Sequence, residues 1–220
     1  MIEILGLAWL NDKCYGQARS RKQIDYADRV PLERLGLEDN IFREPVKNFG
    51  RFESVTQQLC TVTALALQDA GLTYGEKPLE IGLLAIHKEG CIASNRRFFQ
   101  DYLDGGRSLS RANLFIYTLP SSPCAEAAIC FGLRGPLLYV DALDDSINSG
   151  IQIVENLLRT NQAQAMLINL MDKPHQIALL VGIGSGTNEP LAMSFIPKYI
   201  AKSVQQIKEA SERIGQNHEG

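Results

Sequence analysis

Five short apolar runs set the limits on what this chain can fold into. They are IEILGLAW at 2–9, EIGLLAIH at 80–87, LLYVDA at 137–142, QAMLINL at 164–170 and QIALLVGI at 176–183. Each is shorter than an ordinary helix and is bounded by polar or glycine-bearing sequence, so each reads as a strand. Continuous apolarity, without alternation, marks strands covered on both faces by helices.

The segments between them have helical spacing. Ser54 opens a helix that runs to about Ala70 and stops at Gly71. Its Val55, Leu59, Val62, Leu65, Ala66 and Leu67 make a stripe so broad that the helix must be covered on more than one side. Residues 94–104 form an amphipathic helix capped by Ser94 and stopped at Gly105-Gly106. LSRANLFIYT then reads as a loop, and LPSSPCAEAAICFGLRG as a small-residue helix ending at Gly132. Ser146 to Arg159 carry Ile147, Ile151, Val154, Leu157 and Leu158 on one helical stripe, and residues 196–214 carry Ile196, Ile200, Val204, Ile207 and Ile214 on another. Residues 10–50 are polar and read as an irregular excursion.

Strands alternating with helices predict an α/β fold: layered helices on a mixed, mostly parallel five-stranded sheet. The turn MDKPH predicts a β-hairpin at Asp172–His175, which would make one antiparallel edge. The division expected is a domain over 1–190 and, over 191–220, an amphipathic helix that packs on it or extends it.

Composition narrows the function classes. A net charge of −3 with no basic stripe gives no field for nucleic acid. No apolar run has the length to span a membrane, and the N-terminus lacks the basic region of a signal peptide. The five cysteines are odd in number and never spaced CxxC, which fits free thiols in a reducing compartment and a cytoplasmic location.

Four stretches carry a family resemblance: NFGRFESVTQQLCTVTALALQDAGL, EIGLLAIHKEGCIASNRRFFQDYLDGG, NLFIYTLPSSPCAEAAICFGLRGP and IQIVENLLRTNQAQAMLINLMD. Their order and spacing resemble the N-terminal half of a β-ketoacyl synthase, a thiolase-fold condensing enzyme, over about residues 1–183. The third stretch is the most specific, with its F–x₂–TLP, small-residue helix and GLxGP. The resemblance implies a thiolase-like half and places the family's nucleophilic cysteine, at the start of a buried helix, at or beside Asp144. The sequence there is ALDDS, and no cysteine follows Cys130. The family's two catalytic histidines belong to its C-terminal half, and none of His87, His175 and His218 matches their motifs.

Each candidate site residue has a plainer reading beside it. Asp141, Asp144, Asp145 and Ser146 are a modified active site or simply a strand end and a helix cap, where acidic residues suit the helix dipole. Cys91 in HKEGC, with His87 four residues before it, is a relocated nucleophile or a structural thiol, and Cys124 poses the same alternative. Gly182 to Gly186 resemble a phosphate loop, but TNEP follows where a helix should begin, so the segment reads as a connector. Arg96, Arg97 and Arg107 are a solvated face or a contact for an acyl carrier protein.

The resemblance therefore implies a non-catalytic, chain-length-factor-like subunit in fatty acid or polyketide type biosynthesis. The alternative is an acyltransferase or thioester hydrolase that uses Cys91 or Cys124. No metal or resident cofactor is expected; the ligand implied is a phosphopantetheine thioester on an acyl carrier protein. The partner expected is a second copy or a ketosynthase-like subunit, because the wide apolar faces of helices 54–70 and 146–159 would otherwise stay exposed.

Overall fold

The structure is a computed structural model. It describes residues 2–26, 41–75, 77–108, 111–141, 146–172 and 175–184, together with 196–198, 201, 204, 205 and 209. The chain forms strands β1 (Ile2–Leu10), β2 (Cys14–Gln17) and β3 (Lys22–Asp25), then helix α1 (Ser54–Asp69) and strand β4 (Ile81–His87). Helices α2 (Ile92–Asp104), α3 (Ala112–Ile116) and α4 (Ser122–Phe131) follow, then β5 (Leu137–Asp141), α5 (Ser146–Arg159), β6 (Ala165–Asp172) and β7 (His175–Ile183).

The α/β class and the mixed sheet agree with the sequence, but the sheet has seven strands, not five, in the order β3-β2-β1-β7-β6-β4-β5. The two extra strands lie in the supposedly irregular excursion. These short strands extend the sheet by antiparallel pairing, β2 onto β1 and β3 onto β2; β2 is buried with Tyr15 in the core, whereas β3 is mostly exposed and rests on backbone bonds. Five strands run one way, while β2 and β7 oppose them. The hairpin forms as expected, with Asp172 paired to His175. However, β7 is not an edge: it is inserted between β6 and β1, which is why it reads as a fully apolar run.

The helices also depart from the sequence reading in two places. Helix α2 starts at Ile92 after Cys91, so Ser94 lies inside its first turn and caps nothing. The expected loop before α4 contains α3, held by Asp101, which accepts bonds from the Arg111 amide at 3.0 Å and its Nε at 2.8 Å.

The core has two parts, one on each face of the sheet. On the first, α1 lies across β1 and β7 and packs against α4. Leu59, Val62, Leu65 and Leu67 are buried, each contributing about 1.5–3 kcal/mol relative to exposure. The outer side of α1 is covered within the chain. Gln57 Nε2 donates to the Phe49 carbonyl at 3.1 Å, Gln68 Nε2 donates to that of Ile41 at 2.7 Å, and Phe42, Phe49 and Phe131 form an aromatic cluster beside them. On the second face, Ile151, Val154 and Leu158 of α5 pack with Leu84, Ile86 and Ile168, joined by Ile196 and Val204 from the tail.

That closure corrects one sequence expectation. Neither α1 nor the buried stripe of α5 waits for a partner to cover it. Most of the exposed large apolar residues lie elsewhere: Ile92, Phe99 and Leu103 on α2, Phe115 and Ile116 on α3, Leu119 after it, Ile129 on α4, Leu137 on β5 and Ile183 at the end of β7, with Ile153 the exception on α5. Among the described residues strand β5 is also the last strand of the sheet, with no strand neighbour on its outer side.

Candidate functional site

In open α/β sheets, ligands gather beyond the carboxyl ends of the parallel strands. Here that edge is set by β4 and β5, which run parallel with His87 level with Asp141. After His87 the chain turns back through Gly90, at φ 52°, and Cys91 leads into α2. The N-terminal end of α4 comes in from the other side, with Pro123 in its first turn. A small cleft results, lined by Thr56, His87, Glu89, Cys91, Tyr117 and Pro123 among others, with a volume of about 20 Å³. That is room for about one water molecule and not for an acyl chain.

The sequence candidates converge here more closely than their spacing suggested. His87 and Cys91 line the same cleft, and the Cys124 and Cys91 thiols are close enough to feel one another. Tyr139 of β5 completes the group: its hydroxyl donates to the His87 carbonyl at 3.0 Å. The two thiols and the two tyrosine hydroxyls here are all shifted away from their ionised forms. Burial pushes the Cys91 thiol up, and burial, with Cys91 nearby, pushes Cys124 up to about 12. Tyr139 is likewise pushed up to about 12 by burial, then by Asp141 and the two thiols. Tyr117 reaches about 12 for the same first reason, with Glu126 and Glu53 adding to it. A cation or a helix N-terminus favours a thiolate; Cys91 at the N-cap of α2 and Cys124 in the first turn of α4 each have a helix N-terminus, and burial acts against it.

Asp144 and Asp145 lie outside the described residues; Asp141 ends β5 and is exposed. Of the glycine run at 182–186, Gly182 and Ile183 are still paired within the sheet, and Ser185 and Gly186 lie outside the described residues. Gly182 and Gly184 sit against side chains of their own sheet, Leu5 and Glu3. Arg96, Arg97 and Arg107 are exposed, and Arg97 is bound to Glu53 at 2.8 Å. Among the described residues no group of histidine, cysteine and acidic side chains could hold a metal ion. No helix among them is long and apolar enough to cross a membrane.

Sequence reasoning missed a second, larger feature. A groove of about 1080 Å³ runs between the 44–53 segment, α3 and α4. Phe52, Tyr117, Ile116, Ile129 and Cys130 give it apolar surface, and its charges are mixed: Lys47, Arg51 and Arg97 with Glu44, Glu53 and Glu126. It could not be foreseen because its walls come from three distant segments, one of them read as irregular.

The matches to known proteins agree with this architecture. Residues 7–192 match the family model described as beta-ketoacyl synthase, N-terminal domain, and the chain belongs to that family. It is 27% identical over 193 residues to a Streptomyces virginiae protein assigned as polyketide beta-ketoacyl synthase 1, covering 79% of this chain and 45% of that protein. The chain thus spans a little under half the length of this curated relative. Among solved structures, the ketosynthase ApeO in complex with its chain length factor ApeC from Xenorhabdus doucetiae has a TM-score of 0.57 at 12% identity, covering 84% of this chain and 80% of that one. The ishigamide ketosynthase/chain length factor has a TM-score of 0.59 at 12% identity, covering 86% and 64%. At such identities the likeness is one of fold, and that fold is thiolase-like.

Proposed function

We propose that this chain is a ketosynthase-like subunit that pairs with a second thiolase-fold chain and does not itself carry an acyl group through condensation. The observation that carries the reading is the burial of the thiols near the carboxyl edge of the sheet. Cys91 lines the cleft there and Cys124 lies near it, and burial of each disfavours its thiolate. The position at or beside Asp144, where the family resemblance puts the nucleophile, holds a carboxylate, which does not serve as the thioester-forming group. With purified chain, acyl-thioester and malonyl-thioester, the expected result is no ketoacyl product, and Asp144→Cys alone restores none. The alternative, an acyltransferase or thioester hydrolase, requires an acyl adduct on Cys91 or Cys124. Mass spectrometry after incubation with an acyl-thioester decides between them: an adduct on either cysteine, abolished by its serine variant, would replace this reading.

The second half of the proposal is pairing. Ketosynthases in complex with chain length factors share this fold, and we assign this chain a chain-length-factor-like place, in a homodimer or beside a ketosynthase-like partner. Support comes from the open edge of β5 and the exposed apolar residues of α2, α3 and α4. Leu137, 40% exposed at the start of β5, belongs to this surface. Light scattering at micromolar concentration is expected to give a dimer, for the chain alone or with its partner, and Leu137→Lys is expected to weaken it by about tenfold or more. A monomer that captures no ketosynthase-like chain would defeat the pairing and leave the catalytic half standing. An acyl carrier protein bearing a phosphopantetheine thioester is the ligand proposed for the pair, with the exposed Arg96 and Arg107 facing its acidic surface.

A further inference from the structure

Helix α2 presents its polar face to the molecule and its apolar face to solvent. It is 13 residues long and buries none of them. On the inner face, Arg97 Nη1 donates to Glu53 Oε1 at 2.8 Å, and one turn on Asp101 Oδ1 accepts from Arg111 Nε at 2.8 Å. Phe98 sits beside them, its ring 5.6 Å from that of Phe115. The opposite face carries Ile92, Arg96, Phe99 and Leu103, spaced i, i+4, i+7 and i+11, which is one helical stripe. Its three apolar members are 53%, 59% and 36% exposed, and Arg96 is exposed among them. A surface helix ordinarily turns such a stripe toward the core. Here the two ion pairs hold it outward, which marks it as a contact surface.

We propose that α2 pairs antiparallel with α2 of a second copy of this chain, about a two-fold axis level with residues 97 and 98. This rests on the pairing proposed above and names its contact. A two-fold interface needs one patch that is complementary to itself. Turned end for end about that axis, the stripe sets Ile92 against Leu103 of the copy and Arg96 against Phe99 of the copy. Apolar side chains meet at both ends, and in the middle each guanidinium meets the face of an aromatic ring, a cation–π contact made twice. Gln100 adds to the match. Its Nε2 donates to Asp104 at 2.8 Å, so the acceptor it has to offer is its carbonyl oxygen, one position from the level at which Arg96 of the copy arrives. The four residues of the stripe include no acid, and Asp101 is turned inward to Arg111, so ring and amide are what meet the cation. Stacked on its face, Arg96 keeps its edge N–H groups for the acidic surface of a carrier protein. Tyr102, its ring 6.4 Å from that of Phe99, and the exposed Phe115 widen the apolar surface beside the stripe.

The test follows self-association of the full chain by sedimentation velocity at micromolar concentrations. Phe99→Lys should weaken the dimer about tenfold or more, because it sets a second cation opposite Arg96. Arg96→Glu should weaken it similarly, because the ring loses its cation. Mixing the two variants then decides the occupant. In the mixed pair the new carboxylate of one chain faces the new ammonium of the other, while the untouched Arg96 and Phe99 meet as before. The mixture should therefore dimerise about tenfold more tightly than either variant alone. Both positions are exposed, and circular dichroism of each variant checks that the fold is kept. Single variants as dimeric as the parent would overturn the α2 contact and leave pairing through other surfaces standing. Variants that are weakened but gain nothing on mixing, or a monomeric parent that takes up only a ketosynthase-like chain, would give the stripe to another occupant and overturn the proposal too. A monomeric parent that captures no chain would defeat the pairing itself.

Discussion

Asp69→Ala is expected to lose about 3–5 kcal/mol of folding stability, a large share of the roughly 5–15 kcal/mol that holds a domain folded. Asp69 ends α1 and is buried. Its carboxylate accepts bonds from the Leu7 amide at 3.0 Å, the Arg19 amide at 3.0 Å, the Ser20 amide at 3.0 Å and the Ser20 hydroxyl at 3.2 Å. One side chain therefore holds the middle of β1 and the turn after β2 against the end of the core helix. Removing it orphans several buried or part-buried donors at once, and an unmet buried donor costs about 1–3 kcal/mol. Asp69→Asn keeps one acceptor oxygen but turns an amide NH₂ toward backbone donors, so it should fall between alanine and wild type. Urea unfolding followed by circular dichroism measures both. A midpoint for Asp69→Ala equal to that of the parent would mean that water supplies these donors as well as the carboxylate does.

Asp69 also shows where sequence reading succeeds and where it stops. The helix it ends was legible, because a broad apolar stripe followed by Gly71 has a direct meaning for burial and termination. Its polar role was not, because the donors come from residues some fifty to sixty positions earlier in the chain. The central strands were legible for the same reason as the helix. Runs such as IGLLAIH are buried on both faces and cannot be anything polar. By contrast, β3 is mostly exposed and reads Lys-Gln-Ile-Asp, with no apolar signature. Its existence depends on pairing to β2, which depends on β1, and such dependence leaves no local trace. The place of β7 was misread because a hairpin partner suggests an edge, whereas the strand's apolarity on both faces argued for the interior.

The site divides along the same line. His87 and Cys91 are close in sequence across a tight turn, so their meeting could be read. Tyr139 could not, since only the parallel register of β5 beside β4 brings its hydroxyl to the His87 carbonyl. The protonation of the thiols was out of reach too: whether Cys124 is a nucleophile or an inert core thiol depends on burial, which sequence alone fixes poorly.

Gly135→Ala is the other substitution expected to have a large effect, again about 3–5 kcal/mol, and it gives the GLRGP segment a physical meaning. Gly132 ends α4 in the left-handed conformation, at φ 65°. From there the chain zips onto the strand ahead. The Leu79 amide donates to the Gly132 carbonyl at 2.8 Å, Arg134 to Leu79 at 2.9 Å, Gly135 to Ile81 at 3.1 Å, and Leu83 to Pro136 at 2.8 Å. Parallel pairing thus begins before β5 and sets its register on β4. At Gly135 the two backbones are so close that a Cβ would lie 2.4 Å from the Gly82 nitrogen, 2.6 Å from the Ile81 carbonyl carbon and 2.7 Å from the Gly82 Cα. None of these is a side chain that can swing away. A methyl group must push β4 and β5 apart, which adds overpacking of about 1–3 kcal/mol to the loss of neighbouring hydrogen bonds worth about 1 kcal/mol each. Two other glycines serve as controls. A Cβ on Gly50 meets nothing within 4 Å, so Gly50→Ala should be neutral or slightly stabilising. Gly71 also faces open space but at φ 69°, so alanine there should cost only the left-handed strain, about 1–2 kcal/mol. Thermal unfolding of the three variants should rank Gly135 far below Gly71, and Gly71 below Gly50. If Gly135→Ala melts with Gly71→Ala or above it, the two strands have room to part at that point, and the close approach is not what fixes glycine there.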